Sequence, residues 1–372
     1  MLKGERLDRP TYSFLHTLDE GNTATCYLTY HEVYECPIVQ KTISTLGMPD
    51  VLAREPNLLK SIEHTRILKV WEAQWDPDPA RKHLDAITFT TEYHPGGSVL
   101  TALNELDQFG PWRAMQIADD VLVALEVLHE QHHYLHRDVK PGNILLDGER
   151  RRAVLGDLGS AARLNPATGG ADGHVGSPLY RAPEASTGLV TARSDLYALG
   201  VTMVEMLNGP FPYEDLDRND IDRRLAEGRR SLADRYFELA PWVPKPLATF
   251  VRSLSNRDAE RRPADAASAL RKLRDLRVVD WRRGSGSGLL GTWNGSWPGD
   301  VPRPRQLHLE VSAKDIDRGR NKGMVELTAR WRRSNGKWRH YAKLKRRSDG
   351  SPGELAKFFN DVDREAQKAP TV

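Results

Sequence analysis

Apolar and polar positions along the chain fall into distinct patterns. Residues 37–43 alternate with period two around Lys41, and residues 86–91 form a β-rich run that ends in the turn residues Pro95, Gly96, Gly97 and Ser98. Both predict strands. A nearly unbroken apolar block over 194–207, headed by Ser194 and Asp195, predicts a buried helix with a start signal. Leu52, Leu58, Leu59 and Ile62 make an apolar helix face beside Glu55. Pro56 disfavours helical geometry in the residue before it, so Glu55 is expected at a helix start or a kink.

The last quarter of the chain has its own pattern. Val325, Leu327, Ala329 and Trp331 alternate with Glu326, Thr328, Arg330 and Arg332. After Ser334, Asn335 and Gly336, the residues Trp338, His340, Ala342 and Leu344 alternate with Lys337, Arg339, Tyr341, Lys343 and Lys345. Alternation around an Asn-Gly connector predicts a β-hairpin. One face would be apolar with both Trp, and the other would carry Arg330, Arg332, Lys337, Arg339, Lys343 and Lys345 around Tyr341. Strands at 290–297 and 306–312 and a helix at 353–368 would complete a small antiparallel sheet capped by one helix.

Composition separates this tail from the rest. Residues 283–288 read Arg-Gly-Ser-Gly-Ser-Gly, the makeup of a flexible linker, expected over 277–288. Residues 284–372 carry 18 Lys and Arg against 10 Asp and Glu, a net +8; of the chain's 54 and 51 that leaves 36 against 41, or −5, before them. With 372 residues, 39% of them hydrophobic, there is ample material for two or three structural units. Apolar runs fall short of a membrane span and no secretory leader pattern opens the chain, so a cytoplasmic protein is expected. Cys26 and Cys36 alone make no disulfide framework, which suits a reduced compartment. The excess of Arg over Lys suggests a GC-rich bacterial genome.

The chemistry concentrates in one run, His136-Arg137-Asp138-Val139-Lys140-Pro141-Gly142-Asn143, followed fourteen residues later by Asp157-Leu158-Gly159. Phosphoryl transfer needs positioning and charge neutralisation more than covalent chemistry. Asp138 is placed to accept the proton of an attacking hydroxyl, and Lys140, two residues on, can reach a γ-phosphate. Asn143 and Asp157 offer oxygen ligands for hard Mg²⁺.

These motifs resemble the H-R-D-L-x-x-x-N and D-F-G signatures of the eukaryotic-type (Hanks-type) Ser/Thr protein kinases, with Lys140 as the Ser/Thr-type variant. The resemblance covers about residues 8–276 and implies a bilobal α/β fold, a small lobe at about 8–92 and a large lobe at about 95–276. ATP with Mg²⁺ or Mn²⁺ would be the cofactors. By the same resemblance, Lys41 pairs with phosphates and with Glu55, and Gly21 remains from a glycine-rich loop whose second and third positions hold Thr23 and Cys26. Thr91 would stand beside the adenine, and the backbone from Glu92 to His94 would hydrogen-bond it, with the His94 side chain facing solvent. Ser177 would contact Asp138 and Lys140. Asp195 would hold the catalytic loop, and Arg262 would pair with Glu184 of Ala-Pro-Glu. The glycine-rich segment 157–184 is expected to be a long mobile loop, with Thr168 as phosphate acceptor and Arg137 as the phosphate's partner.

The reading is therefore a two-lobe kinase joined to a basic α+β module at 289–368. The module's basic face would suit nucleic acid, with Tyr341 stacking on a base, or an acidic protein. A solvated face that keeps an edge strand soluble is the plain alternative. Two other functions compete: a pseudokinase scaffold that binds nucleotide weakly, and a nucleic-acid-binding protein acting through its tail.

Overall fold

The computed structural model of the chain describes residues 10–20, 24–44, 55–76, 86–106, 108–296, 307–334 and 336–368. The alternating segments near the N-terminus pair as strands. β1 (Tyr12–Glu20), β2 (Ala24–His31), β3 (Cys36–Ser44), β4 (Val70–Trp75) and β5 (Ala86–Glu92) form an antiparallel sheet in the order β1-β2-β3-β5-β4. Period two puts Lys41 on the same side of β3 as Ile43 and directly across from Phe89 of β5. Ile43 and Phe89 pack with Leu59 and Ile62 around helix α1 (Glu55–Ser61). Pro56 occupies the first turn, where its missing N–H costs nothing, so Glu55 stands at the helix start. Gly21 and Thr23 lie outside the described residues.

The large lobe is helical: α2 (Val99–Leu106), α3 (Pro111–Glu126), α4 (Ala192–Asn208), α5 (Arg218–Ala226), α6 (Lys245–Leu254) and α7 (Ala266–Arg274). The apolar block 194–207 is buried throughout inside α4. Its helix begins earlier than the sequence signal, with the Thr191 N–H donating to Ser194 Oγ at 3.1 Å. Three short strand pairs shape the loops between the lobes. β6 (Tyr134–Leu135) pairs with β9 (Ala162–Arg163), β7 (Ile144–Leu146) with β8 (Ala153–Leu155), and β10 (Ala171–Asp172) with β11 (Leu189–Val190).

The tail is an antiparallel sheet of β12 (Asp280–Arg283), β13 (Gly291–Ser296), β14 (Leu307–Asp315) and β15 (Val325–Arg333), with β16 (Arg339–His340) and β17 (Arg346–Ser348) both paired to β15. Helix α8 (Pro352–Gln367) covers one face through Leu355, Phe358, Phe359 and Val362. Trp281 and Trp293 meet Phe359 edge-on, with ring centroids 5.0 and 5.4 Å away.

The expected linker at 277–288 is absent as a spacer. Val278 is buried in the core of the large lobe and Val279, its neighbour, in the core of the tail. An extended chain sends successive side chains to opposite sides, so two adjacent residues seal two cores. The Gly/Ser run belongs to the β12–β13 hairpin, where Arg283 Nη2 donates to the Gly288 carbonyl at 2.7 Å. Its composition serves a tight connection inside one sheet. The lobe also reaches into the tail: Trp242, just ahead of α6, packs at a tilt against Trp293 with ring centroids 5.6 Å apart. In return, the tail's Asp280 accepts the Trp112 N–H at 3.1 Å, capping the first turn of α3. The helix's own N-cap is Gly110, where any Cβ would overlap the Asp280 carboxylate.

Two outcomes follow from this packing. Trp242→Ala should lower the stability of the full chain by about 3 kcal/mol, read as a shift in the denaturation midpoint, because it opens a cavity between two cores. Asp363 sits buried in α8 with the Trp281 indole N–H donating to it at 2.9 Å, and burial pushes its carboxyl up to about 7 despite that bond. The folded state then holds a proton that the unfolded chain releases near pH 4. Stability falls as pH rises from about 4 to 7, and Asp363→Asn should remove the loss, a gain on the order of 3 kcal/mol at pH 8 over wild type.

Candidate active site

Lys41 projects from the middle of β3 into the space between the lobes. Its Nζ lies 3.0 Å from each Glu55 carboxylate oxygen and 2.9 Å from Asp157 Oδ1. Burial works against the ammonium charge, but the Glu55 and Asp157 carboxylates outweigh it and hold the Lys41 pKa above its ordinary value. Burial likewise opposes ionisation of Asp157, and Lys41 overcomes it, bringing that carboxyl down to about 2. Asp157 itself adopts a left-handed backbone, φ 57°. Burial and the neighbouring Asp157 push the Glu55 carboxyl up to about 7 against the pull of Lys41, so the three groups are mutually held with Glu55 the most readily protonated.

Across the cleft the loop 136–143 presents Asp138. Its Oδ2 accepts from Lys140 Nζ at 2.7 Å and from Asn143 Nδ2 at 3.0 Å, and its Oδ1 accepts the Ser177 N–H at 2.7 Å. Lys140 also donates to Ser177 Oγ at 2.8 Å. Burial would raise the Asp138 pKa, but the Lys140 charge and these bonds lower it, so the group stays a carboxylate. The sequence candidates Asp138, Lys140, Asn143 and Ser177 are thus one hydrogen-bonded cluster.

The support beneath is buried and charged. Asp195, in the first turn of α4, accepts the His136 N–H and the Arg137 N–H at 2.8 Å each, and lies 2.8 Å from His129 Nε2. Arg262 grips Glu184 with both guanidinium arms, at 2.6 and 2.8 Å, while Ser194 Oγ donates to the same carboxylate at 2.7 Å. Burial opposes the Glu184 charge, and Arg262 more than offsets it.

Sequence reasoning missed His129 and a second buried carboxylate, Glu205 of α4. Tyr180 Oη donates to Glu205 at 2.7 Å, Tyr213 donates to it as well, and the Phe211 N–H adds a bond at 3.2 Å. A lone acid inside an apolar helix block was the available signal, since a buried carboxylate must find donors.

Three expectations change. His94 does not face solvent: its ring is half-buried, its Nε2 is shielded without a partner among the described residues, and burial pushes its pKa down. Segment 157–184 is folded, through β9, β10 and a closed turn in which Asn165 and Gly170 bridge and Thr168 Oγ1 accepts the Gly170 N–H at 3.3 Å. Its glycines serve geometry; at Gly176, φ 93°, a Cβ would collide with the Arg137 carbonyl oxygen. Arg137 donates to the Ser160 carbonyl at 2.6 Å and the Asp172 carbonyl at 2.7 Å, and among the described residues it does not contact Thr168.

The basic face predicted around Tyr341 is not one face. β15 pairs with β16 in the register Trp331↔Arg339 and Arg330↔His340, and paired residues share a side. Trp338 therefore falls beside Arg332, opposite to the side of Trp331, because a one-residue difference in register exchanges the faces. The Arg330 and Arg332 guanidinium groups lie 4.7 and 4.9 Å from the Trp338 ring centroid. Tyr341 packs at the core beside Trp331, with Arg339 5.6 Å from the Trp331 ring. Arg330 pairs with Glu310 at 2.7 Å and Lys345 with Glu326 at 3.0 Å, while Lys337 and Lys343 are exposed. The positive charge is dispersed and partly neutralised.

A five-stranded antiparallel sheet above a helical lobe, with Lys41, Glu55, Asp138, Asn143 and Asp157 converging between them, is the architecture of a protein kinase. The chain belongs to that family: the protein kinase domain matches residues 12–273. It is 29% identical over 303 residues to the serine/threonine-protein kinase PksC of Streptomyces coelicolor, covering 74% of this chain and 50% of that protein. It is 31% identical over 205 residues to the probable serine/threonine-protein kinase WNK10 of Arabidopsis thaliana, covering 53% and 38%, and 29% identical over 254 residues to human serine/threonine-protein kinase ULK3, covering 66% and 51%. The chain thus spans about half, or less, of the length of these curated relatives. Among the described residues no helix is long and apolar enough to cross a membrane.

The Glu184 site gives a direct stability test. Arg262→Ala would strand a largely buried carboxylate, and should cost about 3 kcal/mol or more in urea unfolding, whereas Arg262→Lys should lose part of that because one amine cannot replace the fork.

Proposed function

We propose that this chain is a protein serine/threonine kinase that transfers the γ-phosphoryl group of ATP to Ser and Thr hydroxyls and phosphorylates itself. The observation that carries the reading is Asp138, a carboxylate fixed by Lys140, Asn143 and Ser177 across the cleft from the Lys41–Glu55–Asp157 cluster. In the transfer, the acceptor oxygen bonds to the γ-phosphorus, the bond from that phosphorus to the ADP oxygen breaks, and the hydroxyl proton passes to Asp138. Lys140 stabilises negative charge on the moving group, and Lys41, kept aimed by Glu55, neutralises the remaining phosphates. The backbone from Glu92 to His94 would hold the adenine.

The donors present suit a hard divalent ion, Mg²⁺ or Mn²⁺. The Asn143 side-chain N–H groups donate to the Asp138 carbonyl at 2.8 Å and to its Oδ2 at 3.0 Å, leaving the Asn143 side-chain carbonyl oxygen to join the Asp157 carboxylate. Among the described residues there is no cluster of three or more His, Cys, Asp and Glu, so phosphate and water would complete such a shell, as Mg²⁺ prefers. When bound, the ion would neutralise phosphate charge. The tail, at net +8, would hold an anionic partner, an acidic protein or nucleic acid, and the cytoplasm is the compartment that fits a chain with two cysteines.

Incubation with labelled ATP, followed by mass spectrometry, tests the activity. Wild type should incorporate phosphate, with Thr168 a site to map, and Asp138→Ala should fall by about 100-fold or more. Equal, background incorporation in both would favour the pseudokinase scaffold.

A further inference from the structure

Resting on the kinase reading above, we propose that Arg181 directs this enzyme to hydroxyls flanked by an anionic residue, either a carboxylate or a phosphate already in place. Ser177 marks the acceptor position, its N–H donating to Asp138 Oδ1 at 2.7 Å. The acceptor hydroxyl has to approach Asp138, so the segment that follows Ser177 borders the rest of the substrate. That segment is rigid. Pro178–Tyr180 is a single tight helical turn, anchored below by the Tyr180 hydroxyl on buried Glu205 and by Ser231 Oγ on the Leu179 carbonyl.

Arg181 leaves this turn with a half-buried side chain that folds back along it, its Nη2 donating to the Gly176 carbonyl at 2.7 Å. The guanidinium thus sits one residue from Ser177, near enough that the Asp138 charge acts on it, as does that of Asp222 on α5. Among the described residues neither acid forms an ion pair with it, and its Nε is shielded from solvent without a hydrogen-bond partner. The other cation at this place, Lys140, is already engaged by Asp138 and Ser177. Among the described residues Arg181 is therefore a partly desolvated, planar donor without an ion-pair partner beside the acceptor position. An oxyanion on the neighbouring substrate residue would supply that counter-ion through charge-assisted hydrogen bonds.

The test uses the full chain and synthetic peptides that share one Ser acceptor and differ only in the adjacent residue, on either side: Ala, Asp, phosphoserine or Lys. Wild type should show kcat/KM about five- to tenfold higher for Asp or phosphoserine than for Ala, and a comparable penalty for Lys. A larger gain for phosphoserine than for Asp would mark phosphate as the preferred anion, and equal gains a carboxylate site. Arg181→Gln should bring the Asp-to-Ala ratio near one, Arg181→Lys should keep part of it, and Arg181→Glu should turn the preference toward Lys. Because the readout is a ratio within each variant, a partial loss of folded protein cancels. Wild type without preference, or Arg181→Gln with the wild-type ratio, overturns the assignment while phosphate transfer itself continues. Silence toward every peptide, with no phosphate on the protein either, would instead defeat the kinase reading on which the proposal rests.

Discussion

The carboxylate of Asp195 is the fixed point of the large lobe. It is buried, it takes two consecutive backbone N–H groups from the catalytic loop, and His129 contacts it from the helical turn Val127–Gln131 that continues α3. A buried charge is tolerated only with its hydrogen bonds complete, so the loop cannot relax without orphaning it. Arg137 consequently holds a left-handed backbone, φ 64°, a conformation a residue with a Cβ keeps only when its surroundings impose it. The imposed turn aims Asp138 at Ser177 and the Arg137 side chain at the carbonyls of Ser160 and Asp172. Order in segment 157–184 is thus built from the same constraint that orders the loop 136–143.

What could be read from sequence was what chemistry restricts to few residue types. Asp138, Asn143 and Asp157 are legible because phosphate handling leaves little choice at each position, and Lys41 because a strand places it at a predictable depth. Even Pro56 was informative, since its ring geometry confines Glu55 to a helix start, where the ion pair still closes. The failures share a cause. Composition says which residues tolerate solvent and nothing of which neighbour arrives. Gly and Ser at 284–288 look the same in a spacer and in a hairpin, and the glycines of 169–176 look the same in a mobile loop and in a folded one. The faces of β15 and β16 depend on a register set by the connection near Gly336, and alternation alone cannot fix its parity. Burial of His94 and the donors around Glu205 come from segments distant in sequence, which no local pattern reports.

The tail bears on the kinase fold more intimately than its separate composition suggests. Asp280 completes the first turn of α3 where Gly110 has no side chain to do so. The same helix runs 16 residues, about 24 Å, toward the catalytic loop. Trp242 buries its ring among tail residues, so a lobe ended at residue 276 would carry an exposed indole and an open helix end. The tail meets the lobe at the N-terminal turn of α3 and at Trp242.

The juncture at Val278 and Val279 has a mechanical meaning. A module on a flexible tether samples a cloud of positions, and whatever it carries meets the catalytic centre at a concentration set by tether length. Two successive valines locked into different interiors permit no such sampling. Cargo gripped by this tail would be presented at one bearing and one span from Asp138, so the reachable hydroxyls on that cargo would be chosen by rigid-body fit, as a jig selects where a drill lands.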